Sequence, residues 1–430
     1  MSNQKDNLKV DHWGAGGSDL KDHYTKAEQY AMIQKAEEQC GKYLDPNFDP
    51  SSFIFPRDNF AVVAHIESRC VFAQDSSSQD TPLFTIAIPT FNRVETLKRA
   101  LLSALKQDFS AYYEIIVVEN PNDTTYAAES MLLDEFRGQI TYYQNSQNIG
   151  GYNNYNRCLE LARGKWMCLL HSDDELLPQY LGVMQKLVAN PSYKEAYLIG
   201  VAQENDNATS MIYPKNTMQK IVSKFYSQSY LLQKQMQPQN FFGDFVVLPP
   251  SALLHNRAKC IGIGGYDESL YPGADSIFFN LAGISGDLFC YQKEVLVKKY
   301  GQISTGNNPQ IALMCVMQYP LMYSAFRKGK KCVSLSALLE EYKWCRDRCK
   351  IKAPLVALYA RKCVDRQIQL FQIYENLTSY QRFKIYLKVN HLWFAIFLKN
   401  IKNIVTGNFS SLQLRSTHKD VITPPPPLIP

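Results

Sequence analysis

No apolar run in this chain approaches the ~20 residues of a membrane span, so the sequence predicts no transmembrane helix. No Cys-x-x-Cys pair occurs among its 11 cysteines. An odd number without paired spacing fits a reducing compartment better than a disulfide framework. Cys345 and Cys349 would share a helix face, but with no matching His or Cys pair nearby they do not predict a zinc site. The polar opening Met1-Ser-Asn-Gln-Lys-Asp-Asn-Leu8 lacks the apolar core of a signal peptide, so export is not expected and a cytoplasmic location is. There is no Gly-x-Gly-x-x-Gly after the first strong strand and no Gly-x-x-x-x-Gly-Lys, which argues against a dinucleotide or a P-loop nucleotide. A formal charge of +6 over 430 residues is too modest to argue for nucleic acid as a partner.

What the chain does contain is organised around Gly164 to Pro178. Trp166 to Leu170 is a short apolar run, as in a strand buried on both faces, and it stops at His171-Ser-Asp-Asp-Glu175. Carboxylates at the carboxyl end of a core strand stand where open α/β sheets bind ligands. Adjacent acids repel unless a cation lies between them, and hard oxygen donors favour Mg or Mn. The alternative is a cap: Asp173 or Asp174 could begin a helix over Glu175-Leu-Leu-Pro178.

Residues 1–80 read as a polar, partly helical extension with a helix near Tyr24 to Tyr43, closed by the linker-like Gln74 to Asp80. From 81 to about 305 strands and helices alternate, which predicts an α/β domain with parallel pairing and right-handed crossovers. Its strands are Phe84 to Ile88, Glu114 to Val118, Ile140 to Tyr143 and Trp166 to Leu170, with helices Val94 to Gln107, Tyr126 to Phe136 and Asn153 to Ala162 between them. Each strand delivers a polar cluster at its carboxyl end: Asn92 and Arg93, Glu119 and Asn120, Asn148 to Gly151, Asp173 and Asp174. Four converging clusters define one ligand site. Residues 306–430 read as helical, with helices over Pro309 to Phe326, Leu335 to Cys349 and Pro354 to Glu375.

Taken together, Ile88-Pro-Thr-Phe-Asn-Arg93, Val117-Val-Glu119, Asn148-Ile-Gly150 followed by Asn156, Ala162-Arg-Gly-Lys-Trp166 and Leu170-His-Ser-Asp-Asp174 resemble, in order, the motifs of family 2 glycosyltransferases of the GT-A fold, including bacterial capsule and lipopolysaccharide sugar transferases. The resemblance covers about Pro82 to Tyr300 and implies transfer of a sugar from a nucleotide-diphosphate donor, with Mn or Mg and inversion at the anomeric carbon. It implies that Pro89, Thr90, Asn92, Arg93 and Glu119 face the nucleoside, that Asn148 and Gly150 border the pocket, and that Asp173, with Asp174 beside it, is the metal-side acid. Three positions depart from the pattern. His171 replaces the first acid of Asp-x-Asp, Val118-Glu-Asn120 replaces Val-Asp-Asp, and Tyr155 replaces an arginine before the helix asparagine.

Further on, Gly264-Gly-Tyr-Asp-Glu268 and Gly273-Ala-Asp275 resemble the family's acceptor segment, in which the acid opening a helix is the catalytic base. Asp275 is the matching residue, with Asp267 and Glu268 as lesser candidates and an ordinary helix cap as the alternative. Gln203 to Pro250 is expected to form acceptor-side loops. The implied acceptor is a growing surface polysaccharide or a lipid-linked oligosaccharide; a catalytically silent GT-A domain that binds carbohydrate or acts as a scaffold is the competing reading. From Asn376 to Lys419 there are Arg382, Lys384, Lys388, Lys399, Lys402, Arg415 and Lys419 and no acid, interleaved with Leu392 to Leu398. That is the composition of a basic amphipathic helix on an anionic membrane surface, or of a helix packed on the domain.

Overall fold

The computed structural model describes residues 21, 23–54, 57–75, 81–191, 193–205, 251–286, 288–300, 308–325 and 335–370. Residues up to Gln367 form one compact unit and those from Ile368 a second, of which only 368–370 are described. The basic segment 376–419 therefore lies outside the described residues, as does 206–250, nearly all of the expected acceptor-side loops.

Helix α1 (Lys26–Cys40) opens on a capping box, with the Thr25 side chain and the Glu28 carboxylate each taking the other's backbone N–H. It is followed by β1 (Ser68–Phe72), β2 (Phe84–Thr90), α2 (Val94–Leu105), β3 (Glu114–Glu119), α3 (Glu129–Glu135), β4 (Thr141–Asn145), α4 (Gly151–Leu161), β5 (Trp166–Leu169), β6 (Glu175–Leu176) and α5 (Tyr180–Ala189). Then come β7 (Leu198–Asn205), β8 (Leu253–Asn256), α6 (Arg257–Gly262), α7 (Ala274–Ser285), β9 (Leu288–Lys299), α8 (Pro309–Ala325), α9 (Leu335–Lys352) and α10 (Pro354–Leu370). Among the described residues the strands form one sheet in the order β1-β4-β3-β2-β5-β8-β7-β9-β6. Strands β4, β3, β2 and β5 are parallel; β8 joins β5 antiparallel and carries the sheet into its second half.

Every residue of β2, β3 and β5 is buried, which is why these strands read as continuous apolar runs: helices cover both faces of a parallel sheet. Gly164, just before β5, is required by close approach, since a Cβ there would lie 2.6 Å from the Thr85 backbone nitrogen. Pro89 locates the opening in the sheet. Ala87 O takes the Leu170 N–H on the β5 side, whereas Thr90 O takes the Asn120 N–H on the β3 side. Backbone groups alternate along a strand, so Pro89, which has no N–H, faces β5 just beyond the last paired residues, Ala87 and Leu169. The two strands part there, and the parting is the crevice in which open α/β sheets bind ligands.

Strand β1 pairs antiparallel with β4 and adds an edge strand to the sheet. Helix α1 is tied to the end of α9 and the start of α10: the Tyr24 N–H donates to Lys352 O (2.9 Å) and the Leu355 N–H to Gln29 Oε1 (2.8 Å). The helix start offered at Glu175 is corrected: Glu175-Leu176 is the short strand β6, paired with β9, and the helix begins only at Tyr180. Asp173 and Asp174 therefore cap no helix.

Candidate active site

The loop His171-Ser-Asp-Asp174 leaves the end of β5 into this crevice. Donor atoms of His171, Asp173 and Asp174 lie within 4.8 Å of one another. Asp174 is buried, and its Oδ2 has no hydrogen-bond partner among the described residues. Burial pushes its carboxyl up to about 6, and the nearby Asp173 charge pushes the same way. A buried, unpartnered carboxylate oxygen beside a second acid and an imidazole is a donor set that a divalent cation fits.

Arginines hold this loop. Arg93 Nη1 donates to Asp173 Oδ2 (2.6 Å), and Arg99 Nη2 donates to Asp173 O (2.8 Å). Arg99 also pairs with Glu175 (3.1 Å), and its guanidinium lies 3.6 Å over the Tyr300 ring. Lys299, at the end of β9, is close enough to favour the ionised forms of both Asp174 and Asp275 and the neutral form of His171. Burial is the larger influence on His171 and brings it down to about 4, so its ring is neutral near pH 7.

Asp275 lies in the first turn of α7, where its Oδ1 accepts the Ser276 N–H (2.6 Å). Burial pushes it up to about 6. Its charge and that of Asp173 both favour the neutral form of the Tyr155 hydroxyl, which burial favours most.

Other expected site residues have different employment. Glu119 is 0% exposed: Oε1 accepts the Ala128 N–H (3.0 Å) and Oε2 the Tyr142 hydroxyl, so both oxygens turn into the fold rather than toward a nucleoside. Arg93 is turned to Asp173. Asn148 Oδ1 accepts the Gly150 N–H (3.1 Å), and Gly150, at φ 85, leads into α4 with a conformation L side chains avoid. Glu268 Oε2 accepts the N–H groups of Tyr152 and Asn153 (2.8 and 3.1 Å), so this acid caps α4. Asp267 Oδ1 takes the Ser269 N–H and its Oδ2 pairs with Arg57. Asn156 accepts the Tyr266 N–H and donates to its carbonyl, clamping the turn before α7. Pro89 is buried in β2, Thr90 Oγ1 is buried with no hydrogen-bond partner among the described residues, and Asn92 stands at φ 50 at the mouth of the parting. The contributions of Arg99 and Lys299 carry no local signal in the sequence.

Comparison with known proteins bears on what this site is. The family described as Glycosyl transferase family 2 matches residues 85–254, from β2 to β8 and including the His171 to Asp174 loop. Residues 85–254 are a family 2 glycosyltransferase domain. With the family comes the GT-A fold, and the α/β sheet described above has that architecture. An uncharacterized protein of Mycobacterium tuberculosis is 27% identical over 202 residues, 46% of this chain and 61% of its own. A GalNAc(5)-diNAcBac-PP-undecaprenol β-1,3-glucosyltransferase of Campylobacter jejuni is 28% identical over 203 residues, 46% of this chain and 60% of its own. A putative colanic acid biosynthesis glycosyl transferase of Escherichia coli is 29% identical over 143 residues, 32% of this chain and 51% of its own. The family 2 domain thus lies in a chain that spans under two thirds of the length of these relatives.

Proposed function

We propose that this chain is an inverting glycosyltransferase that moves a sugar from a nucleotide-diphosphate donor to a hydroxyl of a growing surface polysaccharide or lipid-linked oligosaccharide. The observation that carries the reading is the cluster of His171, Asp173 and Asp174 in the loop after β5, inside the segment that matches the family 2 model, with Asp275 in the first turn of α7 as the acid outside it. By name, the Campylobacter relative is a glucosyltransferase for an undecaprenol-linked saccharide and the Escherichia one a putative glycosyl transferase of colanic acid biosynthesis, which supports the acceptor class.

Asp173 and Asp174, with His171, would hold a divalent cation, Mn or Mg, which when bound neutralises the departing diphosphate. Arg93 and Arg99 keep the loop in place, and Lys299 adds positive charge to the same region. Asp275, ionised, takes the acceptor proton as the hydroxyl oxygen attacks the anomeric carbon opposite the leaving diphosphate, so an α-linked donor gives a β-linked product. The Asp275 carboxylate is pre-aimed by the Ser276 amide and hydroxyl.

Incubating the protein with a panel of nucleotide sugars and Mn, without acceptor, tests the reading: slow hydrolysis of one donor to free sugar and nucleoside diphosphate is expected. No hydrolysis of any donor, alongside carbohydrate binding, would favour the silent-domain alternative instead.

The location is proposed as cytoplasmic, on the inner face of the membrane. No helix among the described residues is long and apolar enough to cross a membrane. The support is the basic composition of 376–419, at about 1 kcal/mol per Lys or Arg near an anionic surface. Binding to anionic vesicles should weaken as salt rises; equal partitioning of intact protein and protein lacking 376–430 would leave the packing role.

A further inference from the structure

Two of the positions that depart from the family pattern, Tyr155 and His171, meet in the structure. The Tyr155 hydroxyl lies 3.0 Å from His171 Nε2, and the rings stack with centroids 5.6 Å apart at 29°. Tyr155 is 5% exposed and is held edge-on against Tyr152 and Tyr266, each with its centroid 5.5 Å away. A tyrosine so packed presents its hydroxyl at a fixed point. An imidazole has two ring nitrogens, and the partner of one decides which proton it carries and which lone pair it offers. With Nε2 against Tyr155, Nδ1 is the nitrogen left for a cation.

We propose that Tyr155 is a positioning residue for a mixed nitrogen and oxygen cation site: it accepts the Nε2 proton of His171 and so holds the ring with Nδ1 as a donor beside Asp173 and Asp174. This rests on the reading of the His171 to Asp174 loop as a cation site. It deepens that reading by naming the ion class. Carboxylates alone suit Mg, whereas a neutral imidazole shifts preference toward first-row transition ions, with Co ahead of Mn. The site thus discriminates against Mg more strongly than one made only of carboxylates.

Calorimetric titration of the full chain with Co2+ and with Mg2+ tests this without any turnover. Tyr155→Phe keeps the ring and its stacking and removes only the hydroxyl. It is expected to weaken Co2+ binding by about 10- to 100-fold, the usual effect of losing the partner of a ligating histidine, while Mg2+ binding changes far less. In a His171→Ala background the same substitution should add nothing. An unchanged Co2+ affinity, an equal loss for both ions, or an equal loss in the His171→Ala background would overturn the positioning role. Asp173→Asn separates the two levels. If it abolishes Co2+ binding while Tyr155→Phe does not, only the positioning role falls; if neither Asp173→Asn nor His171→Ala affects Co2+ binding, the cation site falls with it.

Discussion

Asp275→Asn should leave donor affinity near that of the wild type and lower acceptor-dependent turnover by roughly a hundred- to ten-thousand-fold, the contribution typical of a positioned base. The same substitution should make the protein more stable at neutral pH. Burial raises the Asp275 carboxyl from 3.8 to about 6, so keeping it ionised at pH 7 costs the fold on the order of 3 kcal/mol. A group whose folded pKa is raised contributes stability that is complete below the unfolded value and is lost as pH rises through the folded one. Melting curves should therefore show Asp275→Asn above the wild type at pH 7, with the gap closing between about pH 6 and pH 4. Turnover of the wild type should rise through about pH 6, because only the ionised carboxylate accepts a proton. Normal turnover in the mutant would remove Asp275 from the reaction, and a product of retained configuration would overturn inversion. Glu268 is a poor substitute for the role, since its Oε2 is committed to the first amides of α4.

The second large effect is expected at Asp173. Asp173→Asn should abolish cation-dependent donor turnover, a loss of roughly a hundredfold or more, as when a group that stabilises developing charge is removed. An excess of chelator should do the same to the wild type. The substitution also strips Arg93 of its 2.6 Å partner, so some thermal stability should go with it; Arg93→Ala tests whether that loss is separable from the loss of turnover. Full activity of Asp173→Asn, or of the wild type in chelator, would end the assignment.

The parallel half of the sheet is legible in the sequence because burial on both faces leaves uninterrupted apolar runs, as in Phe84 to Ile88 and Trp166 to Leu169. The ends of those strands are legible too, since Asp173 and Asp174 stop such a run abruptly. Strand β1, Ser-Arg-Cys-Val-Phe72, is not, because an edge strand in which only the last residue is buried has little apolar pattern to read. Strand β9 hides for a related reason. Gln292, Lys293 and Glu294 interrupt its apolar residues where its register with β7 shifts, so no unbroken alternation survives. Glu175-Leu-Leu imitates a helix entry, and only pairing with β9 makes it a strand. Glu119 and Glu268 mark a different limit. A carboxylate at a strand end or turn satisfies backbone amides as readily as a ligand, and the choice depends on side-chain direction that no spacing encodes.

The tie between α1 and the last helices has a kinetic consequence. Gln29 and Leu355 are 326 residues apart, and Tyr24 reaches Lys352 over a similar span. A chain made from its N-terminus leaves α1 waiting through synthesis of the whole sheet before its partners exist. Contacts of such long sequence separation are slow to form, because the loop must close before the contact rewards it. Helix α1 emerges early and docks late, and the unit up to Gln367 is complete only when Tyr24 and Gln29 have met Lys352 and Leu355.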